Sequence, residues 1–210
     1  MGRFSASLQC VRKIKNHAAA RPAKIEIRRN ILDEVGRQAH VFDGFAGTGE
    51  MHKAVWHEAA GYVGCDLERA HDGRTAFVAD NRRVLRAIDL ARFGIFDLDA
   101  FGSPWEQVLI VAARRKVAPG ETIGLVLTEG SGLKLKQGDM PLALAELAGM
   151  RGRPAGVARW QDALTERALN GLMRKMQCSI VRRWQANGKT GAGVRYIGLV
   201  LKGQDASASS

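Results

Sequence analysis

The chain is poor in cysteine, proline and aromatic residues: its 210 residues include three Cys, five Pro and two Tyr, and 6% are Phe, Trp or Tyr. Cys10, Cys65 and Cys178 are odd in number, widely spaced and without a C-x-x-C pair. That pattern excludes a disulfide scaffold and a zinc ribbon and points to a reducing compartment, the cytoplasm. Cys65 sits in an apolar run and is expected simply to pack there. His57-Glu58-Ala59-Ala60-Gly61 lacks the second histidine of a zinc-binding helix, so no metal is expected. No apolar run approaches the ~20 residues needed to cross a bilayer. The first 37 residues carry scattered charge rather than the apolar stretch of a secretory leader. The glycine turn at 44–49 is not followed by Gly-Lys-Ser/Thr, and Gly188-Lys189-Thr190 has Arg183 where a P-loop needs its first glycine, which excludes a P-loop.

Basic charge, by contrast, is plentiful. The formal net charge is +11, and it is unevenly placed. Residues 1–37 hold nine Lys/Arg against three acids, and residues 151–202 hold eleven against two. The intervening 38–150 hold twelve basic and fifteen acidic residues. A slightly acidic centre between two basic flanks suits a polyanion held on both sides of a pocket, because Lys and Arg contacts to phosphate give sequence-independent affinity. Nucleic acid is therefore the expected partner through 1–37 and 151–202, with RNA favoured. The same charges would also serve as solvated helix faces.

Three glycines mark the pocket. The run His40-Val41-Phe42-Asp43 reads as a buried strand, followed by a turn with Gly44, Gly47 and Gly49 and a helix over 50–60. Glycines let the backbone approach a ligand closely. Their order, Gly-x-x-Gly-x-Gly, is not the Gly-x-Gly-x-x-Gly of a pyrophosphate loop. Asp43 at the strand tip would repel a phosphate and favour a cationic or amino-bearing ligand. A second strand ends in Asp66, where a carboxylate can accept ribose hydroxyls. A third, Thr75–Val78, runs into Asp80-Asn81, suited to an adenine amino group. These residues would also make an ordinary strand–turn–helix with a capping glycine.

The run Phe42-Asp43-Gly44-Phe45-Ala46-Gly47-Thr48-Gly49 resembles the first motif, D-x-F-A-G-x-G, of the class I (Rossmann-like) S-adenosylmethionine-dependent methyltransferases. The resemblance implies S-adenosylmethionine as cofactor, with its methionine part on Asp43, Gly44, Phe45, Ala46, Gly47, Thr48, Gly49 and Glu50. It implies the ribose on Asp66 and the adenine on Asp80 and Asn81. It also implies a three-layer α/β sandwich around a mostly parallel seven-stranded sheet with an antiparallel last strand.

A second motif, Asp97-Leu98-Asp99-Ala100-Phe101-Gly102-Ser103-Pro104-Trp105, follows the predicted helix 81–91 and the fourth strand. Ligands of open α/β sheets bind outside the carboxyl ends of the strands. The run is similar to the D-x-D-P-F-G-S-P motif of the tRNA guanine-N2 dimethyltransferases, departing at Ala100, where that family has proline. A looser match is Ser103-Pro104-Trp105 to the [D/N/S]-P-P-[Y/F/W] motif of amino methyltransferases, with one proline missing. Methylating an exocyclic amine needs acceptors for its N–H groups and a flat group to grip the base. Asp97, Asp99 and Phe101 are the expected catalytic residues. Gly102, Ser103, Pro104 and Trp105 would surround the substrate, Trp105 as a wall. The same aspartates could instead cap the next helix, Trp105–Val117.

Thr122–Thr128 reads as a fifth strand leaving into a loop at Glu129, read as a solvated acid or, alternatively, a second acceptor. Pro141–Gly149 and Trp160–Met176 read as helices. Ser179–Gln185 and Val194–Lys202 form a hairpin with a glycine-rich tip. The expected organisation is a basic arm and helix over 1–37, a methyltransferase domain over 38–203 and a tail over 204–210. The expected function is N-methylation of a nucleic-acid base. The alternatives are a DNA adenine-N6 or cytosine-N4 methyltransferase and a non-catalytic nucleic-acid-binding module of the same fold.

Overall fold

The computed structural model describes residues 20–69, 71–151, 157–188 and 193–204. The densest part of the expected basic arm, the hairpin tip 189–192 and the tail beyond Gln204 lie outside the described residues.

Helix α1 (Arg21–Val35) opens with Pro22 in its first turn, where the missing N–H leaves no bond unmade. It closes on Gly36 at φ 99°, whose N–H returns to Leu32 O at 2.8 Å. Strands β1 (His40–Asp43), β2 (Gly61–Asp66), β3 (Ala76–Val78), β4 (Ile95–Leu98) and β5 (Thr122–Glu129) pair in parallel. Strands β6 (Cys178–Asn187) and β7 (Arg195–Gly203) complete a seven-stranded sheet of order β3-β2-β1-β4-β5-β7-β6. The last strand, β7, runs antiparallel to both its neighbours. The expected sheet and the β6–β7 hairpin are therefore present. All four residues of β4 are buried, as are Ile123 to Glu129 of β5, because helices cover both faces of the sheet centre.

One face carries α3 (Asn81–Ala87), α4 (Trp105–Arg114), α6 (Leu142–Leu147) and α7 (Gln161–Met176) over the larger apolar core. The other carries α1, whose Ile27, Ile31 and Leu32 pack with Val41, Ile95, Val126 and Trp56. Each such side chain contributes about 1.5–3 kcal/mol by leaving water. Close docking of α1 depends on two glycines in β5 and β7. A Cβ on Gly124 would lie 2.4 Å from Ile31 Cγ2, and one on Gly198 would lie 2.5 Å from Ile27 Cγ2.

Several helices are shorter than the sequence pattern predicts. The helix expected over 50–60 is α2 (Glu50–Ala54) plus a separate 3-10 turn at Trp56–Glu58. The break falls at Val55, with φ −143°, and the following Trp56 side chain is fully buried. The 81–91 helix likewise splits, and the Asp89 side chain caps a second short turn, Leu90–Arg92, through the Ala91 N–H. Where a loop was expected after β5, a short helix α5 (Gly132–Lys136) forms.

Candidate active site

Parallel strand direction brings Asp43, Asp66 and Asp97 to one sheet edge, and Asp43 lies opposite Asp97 in the β1–β4 register. A cleft of about 430 Å³ opens there. Asp43, Gly44, Phe45, Ala46, Gly47, Thr48 and Glu50 line it from the first turn. Asp66, Asp80, Asn81, Asp97, Asp99 and Phe101 line it from the neighbouring strand ends. Gly49 does not line the cleft but shapes it. Gly47 and Gly49 have φ 45° and 77°, left-handed conformations that favour glycine.

Sequence reasoning missed the residue that clamps this turn. Arg74, 3% exposed in its side chain, donates to Ala46 O at 3.1 Å and Gly47 O at 2.9 Å. It is held by Asp72 at 2.8 Å. A Cβ on Gly49 would fall 2.6 Å from its guanidinium carbon.

Each expected cofactor acid is already tied to the frame. Asp43 accepts the Phe45 N–H at 3.1 Å and the Tyr62 O–H at 2.9 Å. Burial, and then neighbouring Asp97, push its carboxyl up to about 7. Asp66 accepts the Gly47 N–H at 2.8 Å, which links the β2 tip to the glycine turn. Asp80 caps α3 through the Arg82 N–H at 2.9 Å, and hydrogen bonds from Arg82 hold its carboxyl down at about 2. Asn81 donates to Gly44 O at 2.6 Å and accepts from Gln107 at 2.9 Å. Gln107 Oε1 is buried without a partner.

The Asp97–Asp99 pair is met by cations from α1. Arg28, 1% exposed in its side chain, donates through Nε and a terminal nitrogen to the two Asp97 oxygens at 2.6 and 2.8 Å. Trp56 Nε1 donates to Asp97 at 2.8 Å. Lys24 Nζ lies 2.8 Å from both Asp99 oxygens, Arg28 adds a bond at 3.0 Å, and Thr128 Oγ1 also donates to Asp99. Burial raises the Asp99 carboxyl, but Arg28 and Lys24 outweigh it and hold it below its ordinary value. Lys24 and Arg28, read from the sequence among the cations of a phosphate-binding flank, are buried inside the site instead. Their i,i+4 spacing beside Ile27 and Ile31 was the available signal: it places two cations next to the apolar face of one helix.

Ala100 is buried and its N–H donates to Leu98 O at 2.9 Å, a bond the proline of the related motif could not make. Phe101 is 69% exposed at the cleft mouth. Gly102, Ser103, Pro104 and Trp105 are not among the cleft-lining residues. Trp105 is fully buried, its indole N–H toward Glu129 at 3.4 Å, because it opens α4 facing the core; it is not a substrate wall. Glu129 is no solvated loop acid either. It is fully buried and accepts the Ser131 N–H at 2.8 Å and the Gln161 amide.

The cleft thus presents six carboxylates, Glu50 included, against Arg28 and Arg82. That donor set disfavours a phosphate and fits a ligand bearing an ammonium and a sulfonium with no phosphate, such as S-adenosylmethionine. Among the described residues no group of His, Cys, Asp or Glu could hold a metal ion, and no helix is long and apolar enough to cross a membrane.

No family model matches the chain, and no curated protein matches its sequence. Solved structures do match in fold, and the fold they share with this chain is that of the Rossmann-like methyltransferases. Trm1 from Pyrococcus horikoshii, solved with S-adenosyl-L-methionine, matches with a TM-score of 0.57 and 16% identity. The alignment covers 90% of this chain and 56% of that one, so this chain spans little more than half the length of Trm1. The N-methyltransferase NodS from Bradyrhizobium japonicum, solved with S-adenosyl-L-homocysteine, matches with a TM-score of 0.56 and 10% identity, covering 91% of this chain and 90% of that one.

Proposed function

We propose that this protein is an S-adenosylmethionine-dependent N-methyltransferase acting on an exocyclic amine of a nucleic-acid base, RNA in preference to DNA. The observation that carries this reading is an acid-lined, cation-seeking cleft at the glycine turn with Asp99 and Phe101 on its wall. The likeness to two methyltransferase structures solved with S-adenosylmethionine or its demethylated product supports it, as does the resemblance of the Asp97–Pro104 run to the tRNA guanine-N2 enzymes.

Bound in the cleft, the cofactor would supply an electrophilic methyl group on sulfonium. The turn Gly44–Gly49 and Asp43 would hold its amino-acid part, Asp66 its ribose, and Asp80 with Asn81 the edge of its adenine. Asp99 would accept an N–H of the target amine, orienting the nitrogen lone pair and stabilising the positive charge that develops there. Arg28 and Lys24 keep Asp99 ionised for that task, and Lys24 yields one oxygen to the incoming amine. Asp97 holds Arg28 in register from beneath. Phe101, exposed at the mouth, would lie against the base.

Transfer of tritiated methyl groups onto tRNA, other RNA, DNA and small amines in parallel tests the reading, alongside calorimetric titration of the cofactor. Labelling of RNA is expected. Labelling of DNA or of small amines alone would replace the substrate proposed, and a folded sample that binds no cofactor would overturn the activity. Asp99→Ala is expected to lower turnover by more than about 100-fold while cofactor Kd stays within about two-fold. Equal loss of both would show that Asp99 serves the cofactor instead.

A further inference from the structure

A buried acid outside the chemistry points to a second functional surface. Glu129 is fully buried, and an ionised carboxylate there costs several kcal/mol unless it is well paired. Its partners come from four places in the chain: Ser131 on the β5 exit, Trp105 at the start of α4, Gln161 at the start of α7, and Arg195 on β7 at 3.5 Å. Gln161 also donates to Gly193 O at 2.7 Å. Two of these partners follow exposed aromatics. Phe101 lies four residues before Trp105, and Trp160 lies immediately before Gln161. The loops meet directly as well, since the Gly130 N–H donates to Gly102 O at 2.6 Å, and α5 packs against the short turn Val157–Trp160. Glu129 therefore joins, through hydrogen bonds to Trp105 and Gln161, the segment that follows Phe101 and the helix that follows Trp160.

The chemistry exposed beside these joined segments is specific. Phe101, Leu133 and Trp160 are 69%, 62% and 54% exposed. Single exposed apolar residues are ordinary, but here cations accompany them. The Arg159 guanidinium lies 5.5 Å from the Trp160 ring centroid, and Lys134 is exposed on α5. Among the described residues neither cation is in an ion pair. Several other cations between residues 151 and 202 are instead neutralised: Arg183 by Glu166 at 2.7 Å, Arg195 by Asp162 at 2.6 Å, and Lys175 by Glu146 at 3.4 Å. Exposed aromatics interleaved with unneutralised cations suit unpaired nucleotides, whose bases stack while their phosphates meet the charges. A duplex offers no free base face to a tryptophan.

We propose that Trp160, with Arg159 and Lys134, forms a stacking platform for an unpaired nucleotide flanking the target base of a single-stranded nucleic acid. The proposal rests on the function proposed above and adds to it a docking surface and a strand form. Fluorescence polarisation with a single-stranded RNA, the single-stranded DNA of the same sequence and an RNA duplex, over a salt series, tests it. Wild type is expected to bind single strands more tightly than duplex. Trp160→Ala should weaken single-strand binding by about tenfold with the salt slope unchanged, and Trp160→Phe should retain most of the affinity. Lys134→Ala should instead reduce the salt slope by about one. Cofactor Kd should stay at the wild-type value in all three variants.

If Trp160→Ala binds single strands like wild type, or loses cofactor affinity in parallel, the platform is overturned while the proposed activity stands. If it weakens duplex binding equally, stacking is overturned. If wild type binds no nucleic acid at all, both the platform and the nucleic-acid substrate fall together, and the methyl-transfer assay reports which small amine takes its place.

Discussion

Asp43 is the residue on which cofactor affinity should turn with pH. Burial first, and Asp97 second, raise its carboxyl to about 7, from an ordinary value of 3.8. It is protonated below that pH and ionised above it, and only the ionised form attracts an ammonium group. Calorimetry with S-adenosylhomocysteine should find Kd falling as pH rises from about 6 to about 8, by up to about tenfold per unit below the midpoint. Asp43→Asn should flatten that dependence; a wild-type profile flat across the same range would show that Asp43 stays ionised or does not meet the ammonium. The sign is opposite for folding. A carboxyl raised in the folded state contributes stability at low pH that is lost as pH rises through about 7. Arg28 is the second decisive residue. It is enclosed with Asp97 at 1% side-chain exposure on each side, so Arg28→Met would leave a buried carboxylate without its cation. Urea denaturation should show a loss of about 3–5 kcal/mol, and a loss below about 1 kcal/mol would mean that Trp56 and water compensate for the missing charge.

At the scale of elements, the contact between α1 and the sheet sets the geometry of the site, because α1 delivers Lys24 and Arg28. Two glycines make that contact close. Gly198→Ala would place a methyl 2.5 Å from Ile27 Cγ2, so the helix would have to lift or the side chain distort. Thermal or urea unfolding should register a cost of about 1–3 kcal/mol. Combining it with Ile27→Ala should cost less than the sum of the two single changes, since the second removes the clash the first creates. Additive losses would place the strain elsewhere. The strands themselves were legible as apolar runs ending in acids. Helix limits were less so: Val55 reads as a helical position, and its departure from helical geometry follows from the burial of Trp56 against Asp97, a long-range contact that no local pattern carries.

Across the whole molecule, α1 belongs to one outer layer of the sandwich as much as to the N-terminal segment. A chain beginning at residue 38 would expose Val41, Ile95 and Val126 to water and leave Asp97 without Arg28. Circular dichroism in urea should show no cooperative transition for such a chain. A cooperative transition with wild-type midpoint would make α1 an appendage. The flank charges tell the same story of placement over count. The +11 of the chain includes Lys24 and Arg28 facing inward and several arginines paired with surface acids, so any polyanion-binding face is smaller than composition implies.

What the sequence by itself determined was local. Turn chemistry at Gly47 and Gly49, alternation of strand and helix, and carboxylates at successive strand ends are carried by neighbouring residues, so the acid-lined edge could be read before any coordinate. Only the tertiary structure decided how those acids are balanced. Arg28 meets Asp97 across 69 positions and Gln161 meets Glu129 across 32. Pairings at such separations depend on how the layers pack, and packing also turned Trp105 into the core and left Trp160 on the surface.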